Sequence, residues 1–439
     1  MRFFLVILTL GLAVTEIASA QISLPSVRLP APGAALTNLP ASDLSLQSRL
    51  DAEFRGSDLT DLRALRIRTL VRAHRDVIEA DARGNPFVRG EVLAVSPNAG
   101  ALQAAVAAGF KVVRDSTLDA LGTRIVVLHV SSGTSRALER LRAADREGVY
   151  DFNHIYMESA VAAQSAPGAQ ASTPVDTSSG TASTQGRLGL IDSGVDASHE
   201  VFKEATLHPH GCSGRASPDL HGTAVASLLV GRAADFHGAA PGGELYAVDV
   251  YCGSPTGGAV DAVAEAFAWL AQQRVPVINV SLVGPDNHVL EAIVERLIAR
   301  GHIIVAAVGN DGPAAPPLFP AAWPGVVGVT AVDARRQVLV EAERGPQVRF
   351  AAPGAQMVAA KRPSGYTLVR GTSFAAPIVA GLLSLKLSVV DKVAADSAIA
   401  ALASEAADLG APGPDAVYGY GLVGESLRRQ PALAAFRVD

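Results

Sequence analysis

Leu188-Gly189-Leu190-Ile191 is a short apolar run that leads straight into Asp192-Ser193-Gly194. Such a run, ended by turn chemistry, reads as a strand covered on both faces. The pattern returns at Glu244–Val250, Val277–Ser281, Ile303–Ala307 and Val326–Ala331. Helical stretches separate these runs, at His221–Val230, Ala259–Gln273, Val289–Arg300 and Ser373–Val389. Strands that alternate with helices predict an α/β fold over residues 186–439, a doubly wound and mostly parallel sheet. In such sheets, function gathers beyond the carboxyl ends of the strands.

Upstream, residues 158–185 consist mainly of Ala, Ser, Thr, Gly, Gln and Pro. With almost no large apolar side chain they read as a flexible linker. Residues 87–157 predict a small ferredoxin-like α+β domain in β-α-β-β-α-β order. Its strands are Glu91–Val95, Lys111–Arg114, Arg124–Val130 and Val149–Met157, and its helices Ala99–Ala108, with Asn98 as the cap, and Ser135–Ala144. Residues 21–86 are Pro-rich and then helical, from about Leu44 to Ala82, with Leu62, Leu65, Val71 and Ile78 on the apolar side. Arginines on this stretch interleave with Asp58, Asp61, Asp76 and Glu79, which reads as a solvated face. Residues 1–20 predict a signal peptide, with Arg2 at its positive end and Ala18-Ser19-Ala20 as a cleavage site. Export to the periplasm or medium, with no stable membrane anchor, is the resulting expectation.

Composition narrows the classes. A chain of 439 residues with 49% hydrophobic and 18% charged residues can bury large cores, so disorder of the whole is excluded. A net charge of -5 argues against a general nucleic-acid partner. Two cysteines cannot build a four-cysteine zinc module. His208, His210 and Cys212 lack the paired spacing of a zinc site, so no metal ligand is assigned.

The polar residues at element ends carry the chemistry. Asp192 follows the first strand, His221 opens a helix within His221-Gly222-Thr223, Asn310 follows Gly309, and Ser373 opens a helix within Gly371-Thr372-Ser373. Singly these read as a turn former, a surface histidine, a loop and an N-cap. Together they supply an orienting carboxylate, a base, an oxyanion donor and a nucleophile.

Asp192-Ser193-Gly194, His221-Gly222-Thr223 and Gly371-Thr372-Ser373-Phe374-Ala375-Ala376-Pro377 resemble the three signature motifs of the subtilisin-like serine proteases, in that family's chain order. Gly238–Pro241, Val277–Leu282 and Ala306–Asn310 match as well. The resemblance implies a secreted serine endopeptidase made as a precursor. Ser373 is then the nucleophile, His221 the base, Asp192 its orienter, and Asn310 with the Ser373 N–H the oxyanion hole. By the same analogy Ser281, Leu282, Val283, Ala307 and Gly309 line the substrate cleft. Pro255–Gly258 is the edge on which an extended polypeptide substrate adds as a strand. The N-terminal region resembles the propeptides that chaperone and inhibit such enzymes, with self-cleavage between Tyr156 and Gln185. Phe374 stands where the family usually has Met. Val283 stands where Gly is common, and is expected to narrow one pocket mouth or both and to favour small or medium apolar residues. No cofactor is implied, and family calcium loops are not recognisable. Family topology and an even cysteine count favour a Cys212–Cys252 disulfide over two buried thiols. The alternative function is an inactive binding or regulatory protein on the same fold, which would normally have lost one of the four groups; none is lost.

Overall fold

The computed structural model describes residues 56–158, 186–233, 236–254 and 256–428. The signal peptide, the Pro-rich stretch and most of the linker inferred from sequence lie outside them.

The N-terminal unit begins with the helix Gly56–Ala73. β1 (Ile78–Ala80) then pairs antiparallel with β2 (Pro86–Val95). Ile78, assigned to a helix from its spacing, is therefore a strand residue, 2% exposed, packed with Leu70 and Ile155. Asp81 explains the turn: its Oδ1 accepts from the N–H groups of Arg83 and Asn85, both at 2.8 Å. That local bond competes with helix continuation. β3 (Lys111–Leu118), β4 (Thr123–His129) and β5 (Val149–Glu158) complete a sheet in the order β5-β2-β4-β3. The helices Ala99–Ala107 and Thr134–Ala144 cover one face.

Alternation decides which residues face where. Val92, Ala94, Val126 and Leu128 pack under those two helices. Their neighbours Leu93, Val95, Ile125 and Val127 point the other way and join the core of the second unit. The sheet is thus buried on both faces, and its second face rests on the helices Val260–Gln272 and His288–Arg300. Polar contacts fix the docking. Asp151 accepts from His288 Nδ1 at 2.8 Å, Asn153 Oδ1 accepts from Asp261 N at 3.1 Å, and Asn287 Nδ2 donates to the Phe152 carbonyl at 3.0 Å.

The second unit starts at β6 (Arg187–Asp192), with β7 (Thr206–Gly211) next along the chain. A two-residue ladder joins β8 (Arg232–Ala233) to β9 (Phe236–His237). β10 (Glu244–Asp249), β11 (Gly258–Ala259), β12 (Val277–Val280), β13 (Leu282–Val283) and β14 (Ile303–Ala307) follow. β15 (Val327–Val332), β16 (Val348–Pro353), β17 (Met357–Ala360) and β18 (Tyr366–Val369) end the series. The seven-stranded sheet runs β16-β15-β14-β12-β6-β10-β7, with every pairing parallel. The helices Leu220–Val230 and Thr372–Ser384 pack in the core on one face, and Val260–Gln272 and His288–Arg300 in the core on the other. This is the doubly wound α/β layering expected from sequence.

β7 escaped the sequence reading because Thr206–Gly211 has no apolar run. It is a sheet edge, where Pro209 costs no ladder bond on its open side. The helix expected to reach Val389 ends at Ser384, and a further helix spans Lys392–Glu405. Among the described residues no helix is long and apolar enough to cross a membrane.

Cys212 and Cys252 are joined by a disulfide, with Cα atoms 5.1 Å apart and a sequence separation of 40. Closing a loop of that length stabilises by about 4 kcal/mol in the chain-entropy model. The Cys212→Ser/Cys252→Ser pair should therefore unfold at lower denaturant, by roughly that amount. An unchanged midpoint, or two titratable thiols in the unreduced wild-type chain, would refute this.

Candidate active site

Asp192 is the last residue of β6, at the carboxyl end of the parallel sheet. Its Oδ1 accepts from the Ser193 N–H at 2.7 Å and from His221 Nδ1 at 2.7 Å. His221 sits in the first turn of the helix Leu220–Val230, whose N-cap Asp219 accepts from the His221 N–H at 3.0 Å. A cap that holds this backbone also sets the start point of the imidazole. Asp192 is fully buried and His221 is 3% exposed. Burial alone would lower the His221 pKa. The carboxylates of Asp192 and Glu158 outweigh it and push the pKa up to about 9. Nε2 of His221 makes no hydrogen bond among the described residues.

Ser373 is the second residue of the helix Thr372–Ser384. The N-cap is Gly371, at φ 135°, a conformation that a side chain rarely tolerates. Ser373 is therefore not the cap that its position in the sequence suggested. Its Oγ donates to the Ser281 carbonyl at 3.3 Å, and Ser281 Oγ donates back to the Ser373 carbonyl at 3.1 Å. Asn279 Nδ2 in turn donates to Ser281 Oγ at 2.9 Å. The helix start is tied to the next strand as well. The Thr372 N–H donates to Asn310 Oδ1 at 3.1 Å, and the Gly309 N–H to Thr372 Oγ1 at 3.3 Å.

Four sequence-selected residues thus lie in two bonded groups, Asp192 with His221, and Ser373 with Asn310 through Thr372. The Phe374 ring, 5.3 Å from the His221 ring, spans between them.

The cleft between the two units is filled by the chain itself. β5 runs antiparallel to β13, with Leu282 opposite Glu158 and Val283 opposite Met157. On its other side β11 pairs with it, Gly258 opposite Tyr156 and Ala259 opposite Ile155. Tyr156 is fully buried, and its hydroxyl donates to the Pro285 carbonyl at 2.7 Å. The ring lies against Gly284, where a Cβ would come within 2.6 Å of it. Next to Val283 the cleft thus holds a whole tyrosine ring, which bare Gly284 leaves room for.

Sequence reasoning missed Glu158, Ser193, Asp219 and Glu343. A carboxyl oxygen of Glu158 lies within 4.8 Å of ligand-type atoms of both Asp192 and His221. Burial, reinforced by the charges of Asp192 and Asp219, raises the Glu158 pKa to about 7, against the pull of His221 and a hydrogen bond with Ser193. Glu343 is fully buried behind Gly309, accepts from the Leu318 N–H at 3.2 Å, and is pushed up to about 9 by burial and by Asp311. No local pattern marks either glutamate, because each meets the site only through space.

The family model described as the subtilase family matches residues 185–421. Subtilisin DY of Bacillus licheniformis is 32% identical over 245 residues, which is 54% of this chain and 88% of that protein. Subtilisin E of Bacillus subtilis (strain 168) is 29% identical over 264 residues, 58% of this chain and 68% of that protein. Among solved structures, fervidolysin from Fervidobacterium pennivorans aligns with a TM-score of 0.63 at 18% identity. The match covers 81% of this chain and 63% of that one, and is a likeness of fold.

Proposed function

Because the chain belongs to the subtilase family and is a serine endopeptidase, we propose that Ser373, His221 and Asp192 form its catalytic triad, and that residues up to Glu158 act as its propeptide. The observation that carries this reading is the 2.7 Å bond from His221 Nδ1 to buried Asp192 at the mouth of a cleft already holding an extended peptide strand.

Ser373 Oγ attacks the scissile carbonyl carbon while His221 Nε2 takes the hydroxyl proton. Asp192 keeps the proton on Nδ1, so that Nε2 is the basic nitrogen, and stabilises the imidazolium. The carbonyl oxygen, now an oxyanion, meets the Ser373 N–H at the helix start and the Asn310 amide. Thr372 engages the acceptor end of that amide, so its donor end is the one offered to the oxyanion. The C–N bond then breaks as His221 returns the proton to the leaving amine. Water repeats the steps in reverse order and frees the acyl group from Ser373.

Export follows from the signal-like residues 1–20, and the substrate is polypeptide. The N-terminal unit would chaperone folding, then block the cleft with its own last strand until the chain is cut between Tyr156 and Gln185.

Mass spectrometry of the exported protein tests this, with Ser373→Ala beside wild type and a fluorophosphonate added to each. Wild type should be processed and labelled on Ser373, and the variant should stay full length and unlabelled. Equal processing of the variant expressed alone would overturn self-cleavage; an unlabelled wild type would overturn the triad.

A further inference from the structure

The tail strand shows how an extended chain crosses this cleft, and the residues near Ser373 show where its next side chain must go. Antiparallel to Leu282 and Val283, a peptide continuing in the direction of Glu158 approaches Ser281, whose carbonyl bonds Ser373 Oγ at 3.3 Å. The residue whose carbonyl meets the nucleophile therefore lies between Ser281–Val283 on one side and Ala307–Gly309 on the other. The second segment is fixed there by the Gly309 bond to Thr372.

One side chain reaches the second segment from beside the first. Gly284 and Phe319 pair backbone to backbone, at 2.9 and 3.1 Å, which brings residue 318 alongside the first segment. From there the Leu318 side chain reaches the second: a Cβ at Gly309 would stand 2.9 Å from Leu318 Cδ1 and 2.5 Å from Glu343 Oε1. Leu318 is 8% exposed, and Glu343 and Ala307 are fully buried. Glu343 holds Leu318 in place by accepting its backbone N–H.

We propose that Leu318, backed by Glu343, plugs the pocket for the side chain just before the cleaved bond, so that the enzyme cuts after Gly, Ala or Ser in preference to large apolar or basic residues. The inference rests on the assignment of Ser373 as nucleophile and of this groove as the substrate cleft. It replaces Val283 with Leu318 as the residue that sets selectivity at this position. Glu343 does not convert the pocket into a site for arginine. Its carboxyl lies fully buried behind Leu318, with its pKa pushed up by burial, and its neighbour Asp311 is already paired with Arg63 at 3.1 Å.

The test is kcat/KM for processed enzyme on peptides Ile-Tyr-Met-Glu-X-Ala-Ser, with X as Gly, Ala, Ser, Leu, Phe or Arg and the cut confirmed after X. Excluding one ring-sized group should make Ala better than Phe by about tenfold or more. Leu318→Ala should shift that ratio toward Phe by about tenfold. Leu318→Val, which keeps an apolar core residue, should shift it the same way by less. A wild type that prefers Phe, Leu or Arg overturns the plug, as does a folded Leu318 variant with the wild-type ranking. No cleavage of any peptide, together with no fluorophosphonate label on Ser373, overturns the nucleophile assignment and this inference with it.

Discussion

Asp192→Asn is expected to lower kcat by about 10⁴-fold, and Ser373→Ala by several orders of magnitude, with KM little changed in both. The asparagine would keep the shape of the site. It would, however, present an amide to His221 Nδ1, and the buried ring, 3% exposed, would settle with its proton on the wrong nitrogen. Because the three groups act as a unit, the double variant should be no slower than Ser373→Ala alone. Asn310→Leu leaves the triad intact and removes one oxyanion donor, which should cost about 10²–10³ in kcat. Steady-state kinetics on a single peptide checks all four. Ser373→Ala turning over at the wild-type rate, or Asn310→Leu within a factor of a few of wild type, would contradict the assigned roles.

Inhibition by the tail should fall steeply with pH, up to about 300-fold between pH 4.5 and 7. Glu158 is half-buried beside Asp192, His221 and Ser193, and Asp219 and Tyr251 lie close enough to feel its charge. Its pKa rises from 4.5 to about 7 on docking. The docked tail therefore holds a proton that the free tail releases. The contact is fully present below pH 4.5, weakens as pH climbs to about 7, and then levels off. The factor is about tenfold for each pH unit between 4.5 and about 7. The measurement is Ki for an amidated peptide of residues 149–158 against the same peptide with Glu158→Gln, from pH 4.5 to 8. The ratio of the two should rise with pH and plateau; a flat ratio would sink the argument.

The sequence alone determined what depends on neighbours along the chain. The short apolar runs ending in Asp192-Ser193-Gly194 and Gly309-Asn310 read as buried parallel strands, because a strand covered on both faces needs no polar face and is cut short by turn residues. The Asp, His, Asn and Ser positions were legible because each must sit at the end of a strand or the start of a helix, and Gly-flanked ends are local features. Tertiary structure alone decided the rest. Ile78 looked helical by spacing, yet the Asp81 turn and a partner strand beginning at Pro86 drew it into the sheet. Glu158 and Glu343 look like ordinary surface acids in sequence. Glu343 became buried and Glu158 half-buried, with raised pKa values, because segments 25 or more residues away along the chain closed over them. Leu318 lies in a loop, and its reach to Gly309 depends on the Gly284–Phe319 pairing. Side-chain periodicity records which face of an element is buried, but not which distant residue covers that face. The candidate residues were therefore readable one by one, whereas the strand that occupies the cleft between them appeared only when the two units closed on each other.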